Sequence, residues 1–190
     1  LAVGVNGADA GTIVAEQVRP ELGRVGSVIE VNPAYLKSLI NAAYVPIIAS
    51  VGKGEDGGSF NINADAVACA VAGAIGAQKI IFLTDVDGFY EDFDDKDSLV
   101  SRMSLQETRD MLAEGRVSKG MIPKLQSCVL SLEAGVHRAH IINGTMPHSL
   151  LIELLTQVGC GTLIYNDDEH NTKDEYAPLG LLASRLVENL

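Results

Sequence analysis

The stretch from residue 57 to residue 65, Gly-Gly-Ser-Phe-Asn-Ile-Asn-Ala-Asp, concentrates side chains that could bind a ligand. Asn61, Asn63 and Asp65 stand within five positions, directly before a smooth helical pattern. Capping that helix needs only one side chain of the Asn or Asp type. The preceding glycine pair also lets the backbone approach a ligand closely. The stretch therefore has two interpretations, a helix cap and a ligand site.

A second candidate is Lys124, which follows Gly120 and Pro123 in the run Gly-Met-Ile-Pro-Lys. Proline is favoured in the first turn of a helix, so Lys124 is predicted within the first turn of a helix that continues to about residue 134. A cation is unfavourable at that end of a helix unless an anion binds there. We interpret the segment as an anion site, with an ordinary surface lysine as the alternative.

Polar residues also follow the strand predicted over Lys79–Thr84, in the turn Asp85-Val86-Asp87-Gly88. Ligands of open α/β sheets bind beyond the carboxyl ends of the strands, so this turn is a further candidate. The charge run at residues 92–97 lacks the ligand spacing of a calcium loop, and we interpret it as a solvated loop.

The elements that must position these residues alternate between strands and helices, which predicts an α/β fold with a largely parallel sheet. The apolar run 45–49 predicts a strand covered on both faces. Residues 51–60 predict an exposed hairpin or loop, and Ser104 with Glu107 forms a capping box. Strands are predicted at 1–5, 28–31, 45–49, 79–84, 139–142 and 161–165, and helices at 33–43, 64–75, 105–113, 123–134, 147–155 and 179–190.

Composition narrows the class of protein. The chain has 190 residues, enough for one domain with a hydrophobic core, and its formal net charge is −11. Binding to nucleic acid needs clustered Lys and Arg side chains, so the acidic composition of this chain argues against nucleic-acid binding. No apolar run predicts a membrane span or a secretion signal. The cysteines at 69, 128 and 160 are far apart and are interpreted as free thiols in a reducing cytoplasm.

Four blocks follow one another along the chain: Phe60-Asn-Ile-Asn-Ala-Asp65, Leu83-Thr-Asp-Val-Asp-Gly88, Gly120-Met-Ile-Pro-Lys124, and His140-Ile-Ile-Asn-Gly-Thr-Met-Pro-His148 with Glu153 and Gly159-Cys-Gly-Thr162. Together and in this order they resemble the amino acid kinase family, and most closely those members that phosphorylate N-acetyl-L-glutamate. The resemblance extends over residues 1–165 and implies a three-layer α/β/α fold of the carbamate kinase type. Residues 166–190 match no part of the family pattern.

This resemblance implies transfer of the γ-phosphoryl group of ATP, carried with Mg²⁺, to the side-chain carboxylate of N-acetyl-L-glutamate in arginine biosynthesis. It implies that Lys124 stabilises the transferring group and that Asp65 orients the catalytic lysines. Asn61 and Asn63 correspond to the substrate-binding block. A carboxylate acceptor is already ionised at neutral pH, so no general base is required. The implied nucleotide-binding residues are Thr84, Asp85, Val86, Asp87, Gly88, Phe89, Tyr90, Arg116, Val117, Ser118, Gly120 and Met121.

The resemblance also implies a second ligand, because His140, Glu153 and Gly159 match positions that bind arginine in feedback-inhibited members. It implies no protein metal site and assigns a homo-oligomer to the full-length protein. Alternatives remain open: a family kinase acting on aspartate, glutamate, carbamate or UMP, or a non-catalytic sensor of arginine or nucleotide. A dinucleotide-binding dehydrogenase is less favoured, since no glycine fingerprint follows a strand.

The chain begins at Leu1 inside an apolar run, which we interpret as a fragment of a longer protein. The glycine-rich phosphate loop of the family, its second catalytic lysine, and the glycine pair and arginine that clasp the substrate are not among these residues. We therefore expect a C-terminal, nucleotide-binding part over residues 1–165, a tail of unassigned role over 166–190, and weak or no turnover by these residues alone.

Overall fold

The computed structural model describes residues 1–156 and 159–166. The chain divides into two compact units. The first contains Leu1–Gln78 together with Glu133–Val136, and the second contains Lys79–Leu132 and the described residues from His137 onward. Asn61, Asn63 and Asp65 belong to the first unit, whereas Lys124 and the predicted nucleotide-binding residues belong to the second.

The first unit has a parallel pair of strands, a four-stranded sheet and two helices. In the sheet, β2 pairs antiparallel with β3 and parallel with β5, and β5 pairs antiparallel with β6. The hairpin predicted for residues 51–60 is therefore confirmed. The elements are β1 (Ala2–Asn6), β2 (Ile13–Gln17), β3 (Gly26–Val31), α1 (Ala34–Asn41), β4 (Val45–Ala49), β5 (Val51–Lys53), β6 (Ser59–Asn61) and α2 (Ala64–Ile75).

The prediction that β4 is covered on both faces is wrong for the described residues. Strand β4 pairs with β1 alone, and Val45 and Ile47, which alternate to the same face, are each 59% exposed. A parallel pair with one uncovered face buries only every second side chain, so continuous apolarity was no guide to burial here. The core of the unit consists of Val5, Ile13, Ala15, Leu36, Phe60, Ile62, Val67 and Val71.

The second unit has a four-stranded sheet in the order β7, β9, β10, β8. Strand β7 is parallel to β9, β10 is parallel to β8, and β9 and β10 are antiparallel. The three-residue strand β8 was not predicted, because so short a segment has no readable period. The elements are β7 (Lys79–Thr84), β8 (Arg102–Ser104), α3 (Leu105–Ala113), α4 (Ile122–Glu133), β9 (Arg138–Asn143), α5 (Ser149–Leu155) and β10 (Thr162–Tyr165).

Local chemistry explains where the helices begin. The Ser104 hydroxyl accepts a hydrogen bond from the Glu107 backbone N–H at 3.1 Å, and the Glu107 carboxylate accepts one from the Ser104 N–H at 2.7 Å, so the predicted capping box is confirmed. Helix α4 begins at Ile122, one residue before the predicted start at Pro123. Lys124 still lies in its first turn, as predicted.

The strand pairings support the predicted α/β class, with parallel pairs joining β1 to β4, β2 to β5, β7 to β9 and β8 to β10. Cys69 and Cys128 are buried thiols outside any disulfide, as predicted. Among the described residues, no helix is both long and apolar enough to cross a membrane. The helix predicted at 179–190 and nearly all of the polar segment after residue 165 lie outside the described residues.

Candidate functional site

A cavity of about 400 Å³ lies in the second unit, bounded by the loop that follows β7 and by the segment that leads into α4. Its lining contains Lys124 and all but three of the predicted nucleotide-binding residues. The exceptions are Thr84, Asp87 and Val117, and two unpredicted residues, Glu91 and Phe93, join the lining. The lining residues are Asp85, Val86, Gly88, Phe89, Tyr90, Glu91, Phe93, Arg116, Ser118, Gly120, Met121 and Lys124.

The loop starts where two parallel strands end side by side. Thr84 of β7 is in register with Asn143 of β9, and the Gly144 backbone N–H donates to the Thr84 carbonyl at 2.8 Å. The Thr84 hydroxyl donates to the Val86 carbonyl at 2.8 Å and accepts from the Val86 N–H at 3.2 Å. Thr84 therefore shapes the turn that leads to the cavity, but it is not one of the lining residues.

Thr162 of β10 fixes the next part of the loop. Its buried hydroxyl accepts a hydrogen bond from the Phe89 N–H at 2.8 Å and donates one to the Val100 carbonyl at 2.7 Å. A Cβ at Gly88 would lie 2.5 Å from that hydroxyl oxygen, so the loop can pass Thr162 this closely only with glycine there. Thr162 received no role from the sequence, although it ends the Gly-Cys-Gly-Thr block.

Asp87 faces its neighbours within the loop. One carboxylate oxygen accepts from the Tyr90 hydroxyl at 2.7 Å, and the other accepts from the Asn143 amide at 2.8 Å. The hydrogen bonds from Asn143 and Tyr90 hold the pKa of Asp87 below its ordinary value, and the same bond to Asp87 raises the pKa of Tyr90. Asp87 thus orients a lining side chain, and direct contact with nucleotide stays a prediction for it.

The loop wall of the cavity is aromatic. Phe89 is almost fully buried, and the rings of Tyr90 and Phe93 meet edge to face, with centroids 6.1 Å apart. Aromatic side chains offer a large apolar surface, which suits a planar heterocycle such as a nucleobase.

The rest of the lining comes from the segment that carries Arg116 and Lys124. The backbone N–H groups of Met121 and Ile122 both donate to the Ser118 carbonyl, at 2.9 and 3.2 Å, and this turn leads into α4. Arg116 forms an exposed ion pair with Glu114 at 3.1 Å. A helix N-terminus with a lysine in its first turn attracts anionic groups such as phosphates.

The predicted substrate residues cluster at the start of α2 in the first unit. Asn61 ends β6, and the Asn63 side-chain oxygen accepts from the Ala66 N–H at 3.1 Å, so the helix-cap interpretation is confirmed. Asp65 lies in the first turn of the helix and is half-buried. Ligand binding by these three residues stays a prediction.

The structure brings His140, Glu153 and Gly159 together. The His140 Nδ1 and one Glu153 carboxylate oxygen are 2.6 Å apart, and the other oxygen accepts from the Cys160 N–H at 2.8 Å. A Cβ at Gly159 would lie 2.6 Å from that second oxygen. Burial opposes ionisation of Glu153, but the hydrogen bonds from His140 and the Cys160 N–H outweigh it and leave the pKa below its ordinary value. The cluster joins β9, α5 and the turn before β10.

Comparison with known proteins identifies the family. The model of the amino acid kinase family matches residues 1–143. An acetylglutamate kinase from Caldanaerobacter subterraneus subsp. tengcongensis is 45% identical over 174 residues, which is 88% of this chain and 58% of that protein. The enzyme of the same name from Symbiobacterium thermophilum is 48% identical over 172 residues, 86% of this chain and 59% of that protein. The chain thus spans less than two thirds of the length of these relatives.

Solved structures agree on the fold. The N-acetylglutamate synthase from Neisseria gonorrhoeae, complexed with coenzyme A and N-acetyl-glutamate, has a TM-score of 0.73 at 28% identity over 85% of this chain and 37% of that one. The carbamate kinase from Giardia lamblia bound to AMP-PNP has a TM-score of 0.58 at 18% identity over 82% of this chain and 52% of that one. The predicted carbamate kinase type of fold is confirmed. Since the family model covers well over half of the 190 residues, the chain belongs to the amino acid kinase family.

Proposed function

We propose that this chain forms the nucleotide-binding part of an acetylglutamate kinase, whose whole chain transfers the γ-phosphoryl group of ATP to the side-chain carboxylate of N-acetyl-L-glutamate in arginine biosynthesis. The observation that carries the proposal is the cavity of the second unit, which is lined both by an aromatic loop and by a lysine in the first turn of a helix. The relatives named acetylglutamate kinase, at 45% and 48% identity, support the choice of acceptor.

The cavity offers complementary surfaces for the two halves of a nucleotide. Tyr90 and Phe93 offer apolar area to the base, and Lys124 with the first turn of α4 offers positive charge to the phosphates. Phosphoryl transfer depends on alignment and on charge stabilisation more than on covalent chemistry by the protein. In this proposal Lys124 acts on the γ-phosphoryl oxygens, where negative charge must be offset as two anions approach.

The acceptor side of the reaction needs binding and orientation without proton transfer. The carboxylate of N-acetyl-L-glutamate is ionised at neutral pH and can attack directly. Asn63 uses its side-chain oxygen to cap α2, which leaves its amide nitrogen to donate to a substrate anion. We assign substrate binding to Asn61 and Asn63, and orientation of the catalytic lysines to the half-buried carboxylate of Asp65.

Mg²⁺ would enter with ATP. The described residues contain no cluster of three or more His, Cys, Asp or Glu side chains that could hold a metal ion. Magnesium in kinases is typically held by substrate phosphates with one or two carboxylates, and Asp85 and Glu91 are the carboxylate residues in the cavity lining. Bound in this way, the ion would offset phosphate charge.

A role in arginine binding for His140, Glu153 and Gly159 remains part of the proposal. A related structure, the synthase from Neisseria gonorrhoeae at 28% identity, was solved with coenzyme A and L-arginine. Both Glu153 oxygens already accept hydrogen bonds within the chain and the side chain is almost fully buried, so an arginine guanidinium would reach it only if this cluster opened. Assembly of the full-length protein as a homo-oligomer and its location in the cytoplasm stay predictions.

The test of this function is a panel of acceptors. The whole chain of which these residues form part, here called the intact protein, is mixed with MgATP and one acceptor: N-acetyl-L-glutamate, glutamate, aspartate, carbamate or UMP. Hydroxylamine traps any acyl phosphate as a hydroxamate, and ADP release is measured in each reaction. We expect hydroxamate and ADP with N-acetyl-L-glutamate alone. If ADP were released only with another acceptor, that acceptor would replace N-acetyl-L-glutamate as the proposed substrate. Tight ATP binding without turnover on any acceptor would favour a non-catalytic sensor.

A further inference from the structure

The charge run at residues 92–97, predicted as a solvated loop, contains one lysine that contacts the cavity wall. The Lys96 ammonium lies 4.7 Å from the centroid of the Tyr90 ring and 4.3 Å from that of the Phe93 ring. Both rings line the cavity, whereas Lys96 does not. A cation at such distances is attracted to the faces of aromatic rings.

The loop holds Lys96 in this place through its own hydrogen bonds. The Lys96 ammonium donates to the Phe93 carbonyl at 3.2 Å. The Asp97 N–H donates to the Asp95 carboxylate at 2.9 Å, and the Ser98 hydroxyl donates to the Asp92 carbonyl at 2.7 Å. The carboxylates of Asp92 and Asp95 accept from backbone N–H groups of the run and so help to organise the turn that presents the ammonium to the rings.

Tyr90 is restrained at two points. Asp87 accepts the hydrogen bond from its hydroxyl at 2.7 Å, and Lys96 contacts its ring. Phe93 packs against the same ring at an interplanar angle of 82°. A side chain fixed at both its ring and its hydroxyl loses little rotational freedom when a ligand binds, which favours affinity.

We propose that Lys96 is a positioning residue for the nucleotide base: it holds the Tyr90–Phe93 pair as a preformed wall and thereby sets affinity for the base, not the rate of phosphoryl transfer. The inference rests on the proposed nucleotide site. The Lys96 ammonium contacts two rings that line the cavity, so the run that carries it serves the cavity and is more than a solvated loop.

The variant that tests this is Lys96→Met, which keeps the length of the side chain and removes the charge. Lys96→Arg keeps a cation over the rings, and Lys37→Met on the exposed face of α1 is the matched control. Each intact protein is titrated with ATP and with inorganic tripolyphosphate, which has no base. We expect Lys96→Met to weaken ATP binding about three- to tenfold and to leave tripolyphosphate binding within about twofold.

Lys96→Arg should retain most of the ATP affinity. Lys37→Met should leave the affinity for ATP and the affinity for tripolyphosphate unchanged. In turnover, Lys96→Met should raise the KM for ATP and leave kcat within about twofold. Unchanged ATP affinity in Lys96→Met, or equal losses for ATP and tripolyphosphate, would overturn the inference and leave the nucleotide site standing. Failure of the unmodified protein to bind ATP would overturn both.

A double substitution tests whether Lys96 acts by positioning the aromatic rings or by a general effect on the structure of the loop. Phe93→Leu removes one ring of the pair at an exposed position. If Lys96 acts through the rings, Lys96→Met and Phe93→Leu together should weaken ATP binding by much less than the product of their single effects. Independent effects that multiply fully would contradict the proposed coupling.

Discussion

The hydroxyl of Tyr90 donates a 2.7 Å hydrogen bond to the carboxylate of Asp87, and this bond fixes one aromatic wall of the cavity. Asp87 is itself held from the neighbouring strand by the Asn143 amide at 2.8 Å. The shape of the cavity therefore depends on a residue outside its lining, and on a contact between segments 56 residues apart in the sequence.

The bond between Asp87 and Tyr90 should be visible in the titration of Tyr90. The pKa of Tyr90 is raised above 10.0 by the hydrogen bond to Asp87, so the bond stabilises the fold fully below pH 10.0 and is lost as the pH rises through the raised pKa. In Asp87→Asn, NMR of ¹³C-labelled tyrosine should show the Tyr90 pKa moving back down toward 10.0. An unchanged Tyr90 titration in this variant would mean that Asp87 does not hold the ring.

Gly88→Ala should destabilise the second unit. The new Cβ would lie 2.5 Å from the Thr162 hydroxyl oxygen and 3.0 Å from its backbone nitrogen, and neither group can move without disturbing the hydrogen bonds of that hydroxyl or the pairing of β10 with β9. Overpacking of this kind costs about 1–3 kcal/mol in the free energy of unfolding, measured by urea denaturation. Gly4→Ala, where an added Cβ meets nothing within 4 Å, is the control and should change stability by less than about 0.5 kcal/mol. Equal effects of the two variants would refute the steric argument.

Thr162→Val should cost stability through an unsatisfied donor. The Thr162 hydroxyl is the acceptor for the buried Phe89 N–H, and valine offers no replacement. A buried donor without a partner costs about 1–3 kcal/mol in the free energy of unfolding. Thr162→Ser keeps the hydroxyl and should recover most of that loss. If serine were as damaging as valine, the methyl group rather than the hydrogen bond would be responsible.

Glu153 should make the stability of the second unit depend on acidic pH. Its pKa lies below the ordinary 4.5 in the folded chain, so its contribution is present above pH 4.5 and is lost as the pH falls through the lowered value. Urea midpoints measured from pH 7 downward should therefore decline more steeply below pH 4.5 in the native protein than in Glu153→Gln. Parallel pH profiles for the two proteins would show that the buried pair with His140 carries no such linkage.

Much of the fold could be predicted from local pattern, because α2 and β7 have clear periods and clear ends. Helix α2 spans Ala64–Ile75 and β7 spans Lys79–Thr84, as predicted. Exposure of Val45 and Ile47 could not be predicted, since it depends on which elements lie over β4 and not on its composition.

The residues of the candidate site likewise fall into those that local sequence could predict and those that it could not. Lys124 and the loop after β7 were predicted from helix-end chemistry and strand ends, which are local properties. The contacts of Thr162 and Lys96 were not predicted, for a different reason. Thr162 meets Phe89 across 73 residues, and Lys96 lies in a run whose composition is typical of solvated loops. Such contacts depend on tertiary structure, and no nearby spacing indicates them.

The most direct test of the account is the contribution of Lys124 to phosphoryl transfer. The rate of hydroxamate formation from MgATP and N-acetyl-L-glutamate would be measured for the intact protein, for Lys124→Ala, and for Lys119→Ala as a control. Lys119 is exposed in the same segment and does not line the cavity.

We expect Lys124→Ala to lower kcat by about 10²–10³-fold, the usual effect of losing one group that stabilises transition-state charge, and Lys119→Ala to change it by less than about twofold. A Lys124→Ala protein that turns over at the native rate would contradict the assignment of this cavity as the site of phosphoryl transfer.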